Sequence, residues 1–131
     1  MIEHNCNALE LTLAHGWLAR AVGWLTKREI QPCEALWLKP CAAIHTFGMR
    51  FALGVFFLDT QDRVIKIVPR LKPFSFALCF RATSVIEIAA FHPQDTAVMV
   101  RRLEQALVRL QTPETQRRSL DKNYNTRRRR Q

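Results

Sequence analysis

The chain has 131 residues, 48% of them apolar and 24% charged, enough for one hydrophobic core and cramped for two. That balance excludes a collagen-like or wholly disordered chain. The longest unbroken apolar run, Phe51 to Leu58, falls far short of the roughly 20 residues needed to cross a bilayer, so no membrane span is expected.

The N-terminus lacks the basic start, apolar middle and small-residue cleavage site of a secretory signal, and Cys6, Cys33, Cys41 and Cys79 form no C-x-x-C pair. Reduced thiols and a cytoplasmic protein are the expectation. Gly16-Trp17-Leu18-Ala19-Arg20 returns seven residues later as Gly23-Trp24-Leu25-Thr26-Lys27. Seven residues are two helical turns, so the repeat predicts an amphipathic helix with Trp17 over Trp24. Leu36-Trp37-Leu38 before Pro40 starts a β-rich stretch, and Ile44 follows it.

Val55 to Leu58 and Arg63 to Val68 flank Asp59-Thr60-Gln61-Asp62, which predicts a β-hairpin whose Asp side chains bond the turn's own amides. Pro69 and Pro73 cannot donate ladder hydrogen bonds and are expected to stop regular pairing. Ala77 to Phe80 and Ser84 to Ile88 are further strand candidates. From Asp95 to Leu110 the residues Met99, Val100, Leu103, Ala106, Leu107 and Leu110 recur at spacings of three and four, the pattern of an amphipathic helix. Asp95 or Thr96 is its expected cap. The net charge is +9, and residues 112–131 hold seven basic and two acidic residues, more than half of the surplus. They read as a basic disordered tail behind a compact domain at 1–111.

The densest mix of functional groups is Pro40-Cys41-Ala42-Ala43-Ile44-His45-Thr46-Phe47-Gly48-Met49-Arg50-Phe51. Cys41 and His45 invite a thiolate dyad or half a metal site, but four extended residues span about 13 Å, too far for a hydrogen bond. Cys33, Cys41, His45 and His92 lack the close pairing that preorganises zinc, and no metal or cofactor is expected. His45, Thr46 and Arg50 supply an imidazole, a hydroxyl and a guanidinium that together suit an anionic or carbonyl-bearing ligand. The alternative for Arg50 is a structural ion pair with Asp59 or Glu87. Glu87 lies between Ile86 and Ile88, so alternation turns it to the opposite face, usually solvent. No phosphate loop, nucleophile elbow or H-E-x-x-H is present. Arg127, Arg128, Arg129 and Arg130 suit phosphates, although Tyr124 is the tail's only aromatic and offers no stacking platform.

The run from Glu34 through Arg50-Phe51, continuing to Val55-Phe56-Phe57-Leu58-Asp59, resembles the family called domain of unknown function 192. The resemblance extends upstream through Arg20 to Leu25 and downstream through Arg63-Val64 and Ala82 to Glu87-Ile88, about residues 18–91. It implies an α+β fold with a small, curved, mainly antiparallel, barrel-like sheet and an N-terminal helix, to which the chain adds its C-terminal amphipathic helix. It implies no established activity. Where the family reads Met-Arg-Phe-Pro-Ile-Asp, this chain has Met49-Arg50-Phe51-Ala52-Leu53-Gly54, so an acid is missing. Where it reads Leu-Glu-Leu-Pro-Ala-Gly, here stand Ile86-Glu87-Ile88-Ala89-Ala90-Phe91.

The expectation is therefore a non-catalytic module that binds a small polar or anionic ligand, or a protein partner, through a patch of His45, Thr46, Met49, Arg50, Asp59 and Glu87. The alternatives are a hydrolase with His45 as base, and accessory nucleic-acid binding through the tail.

Overall fold

The apolar run at 53–58 becomes a strand in which all six residues are buried, so both of its faces need a cover. The computed structural model describes residues 8–14 and 29–112. Its strands are β1 (Glu10–Ala14), β2 (Glu34–Leu38), β3 (Ala43–His45), β4 (Leu53–Leu58), β5 (Val64–Leu71), β6 (Phe76–Leu78) and β7 (Ser84–Ala89). A 3-10 turn at Pro93–Asp95 leads into the helix α1 (Thr96–Gln111). The larger sheet has the order β1-β2-β7-β4-β5, and β3 and β6 form a separate two-stranded ribbon. Pairing is antiparallel except between β1 and β2.

The architecture is α+β and mostly sheet, with one C-terminal helix. The sheets do not close into a barrel: β1 and β5 are the two edges of the larger sheet. The predicted helix around Trp17 and Trp24, and the tail with Arg127 to Arg130, lie outside the described residues. The strand at Glu10–Ala14 had no counterpart in the sequence reading.

Each face of the larger sheet carries its own apolar cluster. On one, Trp37, Phe56, Leu58, Ile86 and Ile88 meet Met99, Leu103, Ala106 and Leu107 of α1. On the other, Leu38, Leu53, Val55, Phe57 and Val85 meet Ile44 of β3, Ala77 of β6 and Met49. The helix thus buries Met99, Leu103, Ala106 and Leu107 of the predicted stripe, while Val100 is half-buried and Leu110, in the last turn, is exposed. Asp95 stands at the N-cap as expected but makes no side-chain cap bond, and Thr96 Oγ1 donates to the Pro93 carbonyl at 2.6 Å. The intervening 3-10 turn has already redirected the chain.

The predicted hairpin forms as β4 and β5. Pro69, expected to end pairing, instead lies inside β5. Leu53 pairs with Leu71 and Val55 with Val68, a register shift that leaves one extra residue around Pro69. A bulge on an edge strand is where a missing N–H is tolerated. The expectation of reduced thiols throughout is corrected at Cys33, which is disulfide-bonded, while Cys41 and Cys79 carry no disulfide. Bridging depends on spatial approach that sequence spacing does not reveal. The cytoplasmic expectation loses the support it drew from reduced thiols. Among the described residues no helix is long and apolar enough to cross a membrane.

Gly54 stands where the resembled family has its acid. A Cβ built there would lie 2.8 Å and 2.9 Å from two carbons of the Phe91 ring and 3.0 Å from the Ala89 carbonyl oxygen. That ring stacks on Phe56, centroids 5.8 Å apart and planes 11° from parallel. Phe91 in turn stands where the resemblance implies glycine, and its ring fills the space that a side chain at position 54 would need, so the two departures meet at one contact. Gly54→Asp is expected to destabilise the chain by about 1–3 kcal/mol through overpacking. In urea unfolding, Gly54→Asp/Phe91→Gly should cost less than the sum of the two single variants; strict additivity would refute the coupling of the two positions.

Candidate functional site

The ribbon's architecture follows from alternation. Ile44 and Ala77 point into the core, while Ala43 and His45 of β3 and Phe76 of β6 are exposed. A turn closed by Met49 N–H donating to the Thr46 carbonyl at 3.1 Å then reverses the chain, with Gly48 at φ 80°. Only glycine adopts that conformation without strain. His45 and Arg50 stand on the two legs of this turn, both exposed.

Thr46 holds the turn against the segment after β5. Its hydroxyl donates to the Lys72 carbonyl at 2.6 Å and accepts from Ser75 N–H at 2.9 Å. Its N–H donates to the Ser75 carbonyl at 2.8 Å, and its carbonyl accepts from Phe74 N–H at 3.1 Å. With no exposed surface, Thr46 fastens the scaffold and its hydroxyl is out of a ligand's reach. Met49 likewise belongs to the core. His45 Nδ1 accepts the Phe47 N–H at 3.3 Å, and the two rings stack with centroids 5.1 Å apart. This leaves Nε2 as the nitrogen directed outward. Cys41 donates its thiol hydrogen to the Ala43 carbonyl at 3.1 Å.

Arg50 makes no ion pair with Asp59 or Glu87 among the described residues. Asp59 follows β4 whereas Arg50 precedes it, and six strand residues separate the two by roughly 20 Å. The Asp59 carboxylate instead accepts from Gln61 N–H at 2.8 Å and Arg63 N–H at 3.0 Å, closing the hairpin turn as the sequence predicted. Glu87 does face away from Ile86 and Ile88, but that side of β7 is covered too. Set between Leu36 and Val55 and 6% exposed, it is buried with an interaction partner, which corrects its expected solvent position. The six candidate residues thus divide: His45 and Arg50 share an exposed turn, Thr46 and Met49 build it, and Asp59 and Glu87 belong elsewhere.

A cleft missed by the sequence reading opens on the α1 face. It encloses about 700 Å³ between Glu29, Phe91, His92, Asp95, Met99 and Arg102. Its walls come from two stretches far apart in the chain, 29–32 and 89–102, so no spacing in the sequence announces it. No group of three His, Cys, Asp or Glu suited to a metal occurs among the described residues.

Residues 1–100 match domain of unknown function 192, described as an uncharacterized ACR, and the chain belongs to that family. No curated protein matches it. Two crystal structures share its fold. One is a protein of unknown function from Novosphingobium aromaticivorans DSM 12444, at 17% identity and TM-score 0.60, covering 70% of this chain and 69% of the other. The second, from Sinorhizobium meliloti 1021, is described as a proposed transcription regulator. It is 16% identical, with TM-score 0.60 and coverage of 70% and 75%.

Two outcomes follow from this geometry. Thr46→Val keeps the shape but strands the Ser75 N–H and the Lys72 carbonyl, and should cost about 1–3 kcal/mol in chemical denaturation. The Arg63 N–H first, then the Gln61 N–H and the Arg63 charge, hold the Asp59 carboxyl below its ordinary 3.8 against an opposing effect of burial. Its stabilising contribution is therefore complete at neutral pH and is lost as pH falls through the depressed value. The melting-temperature gap between the native chain and Asp59→Ala should narrow on acidification below about pH 4; a gap independent of pH would exclude this role.

Proposed function

We propose that this member of the domain of unknown function 192 family is a non-catalytic binding module, and that the turn bearing His45 and Arg50 recognises an anionic ligand. One observation carries the reading: Thr46, through side-chain and backbone bonds, fixes a turn whose two flanking polar side chains are exposed, with the Arg50 guanidinium and His45 Nε2 left over after His45 Nδ1 has accepted the Phe47 N–H. A free guanidinium offers two parallel N–H donors to oxyanions, and an imidazole beside it adds a third donor. Preorganisation by Thr46 lowers the ordering cost of binding.

A hydrolase with His45 as base is less well supported. His45 Nδ1 is taken by a backbone N–H, and no carboxylate or nucleophile hydrogen-bonds the ring among the described residues. The nearest thiol in sequence, Cys41, serves the Ala43 carbonyl.

Stabilisation of the native chain by inorganic pyrophosphate in a thermal-shift titration should disappear in His45→Ala and Arg50→Ala, both of which should melt within about 1 °C of the native protein without ligand, as expected for exposed positions. Retention of the shift in both variants would remove the turn from the binding site.

A further inference from the structure

The ribbon also exposes a strip of aromatic rings. Phe47 is 52% exposed, Phe76 67% and Phe74 71%, far more than large apolar side chains normally are. They are not scattered. His45 and Phe47 stack, and His45 lies directly opposite Phe76 in the β3–β6 register. Hydrogen bonding at Thr46–Ser75, one step along, makes His45 and Phe76 a non-hydrogen-bonded pair, whose side chains approach most closely. Phe74, at φ 57°, continues the strip into the segment fastened by Thr46. A costly backbone conformation thus holds a phenyl ring in water.

The surrounding charge has one sign. Residues 35–58 and 63–86, which hold the ribbon and most of its supporting strands, contain seven Lys or Arg and no Asp or Glu. Within them, Arg50, Arg70 and Lys72 flank the end that carries Phe47 and Phe74, and all three are exposed.

We propose that this strip is a binding platform for single-stranded nucleic acid, with bases stacked on Phe47, Phe76 and Phe74 and phosphates paired to Arg50, Lys72 and Arg70. This rests on the anion-binding reading above and names its ligand class. Rings on adjacent strands beside a row of cations match the two faces of a single strand, its bases and its backbone. A bilayer surface fits less well, because the strip centres on the polar His45 ring and lacks the Trp and Tyr of membrane interfaces.

The test uses the full chain, fluorescein-labelled oligo-dT and oligo-rU, duplex DNA of equal length, and phosphatidylserine vesicles. Single strands should bind more tightly than duplex. Phe76→Ser and Phe47→Ser should each weaken binding about ten-fold, a typical loss for one base stack, with an unchanged salt dependence. Arg50→Gln should make that salt dependence shallower. Melting temperatures check that the ring variants remain folded, as their exposure predicts. Equal affinity for duplex, indifference to both ring variants, or preference for vesicles would overturn the proposal. Pyrophosphate binding that depends on Arg50, without oligonucleotide binding, would overturn the nucleic-acid inference and leave the anion site standing. Absence of both would defeat the two together.

Discussion

Strand β4 has no side that water can touch, and this constraint organises the described fold. Each fully buried Leu or Phe on it contributes about 1.5–3 kcal/mol only if its face is covered. One helix can cover one face, and α1 does so with Met99, Leu103, Ala106 and Leu107. The opposite face is met by Ile44, Ala77 and Met49, supplied by the short ribbon and its turn. The ribbon is too small to be stable alone. It is held by its inward residues, by the Thr46 bonds, and by Lys66 Nζ donating to the Leu78 carbonyl at 2.8 Å. Its outward face is therefore released from the work of folding, and the residues there are the ones whose identity packing does not explain.

Local patterns were legible where local chemistry decides the outcome. The period of Met99, Leu103 and Leu107 predicted α1, and the Asp59 turn predicted the hairpin. Properties set by distant segments were not. Alternation told which way Glu87 points but not that this side of β7 is covered. The sequence did not mark the exposed rings; only the pairing of His45 with Phe76 separates inward Ile44 and Ala77 from outward neighbours. Cys33 similarly gave no local sign of its bridge. At the candidate site the residue types at His45 and Arg50 were visible, whereas the structural employment of Thr46 and Met49 was not.

Gly54 and Phe91 show how a chain can depart from a family's motif without losing its framework. Read singly, each looks like a lost functional group or a lost turn glycine. Together they share one space between β4 and the exit of β7: the Phe91 ring lies where a side chain at position 54 would stand, and Phe91 N–H also donates to the Pro69 carbonyl at 3.0 Å. Close packing makes such paired changes easier to accommodate than either alone.

Pro69 carries a different consequence. Strand β5 is an outer edge of the larger sheet, where unsatisfied main-chain groups invite a strand from another molecule. A residue lacking N–H, two shifts in register and the protruding Lys66 and Arg70 make that rim a poor template. The irregularity that breaks the ladder thereby protects the protein against edge-to-edge aggregation.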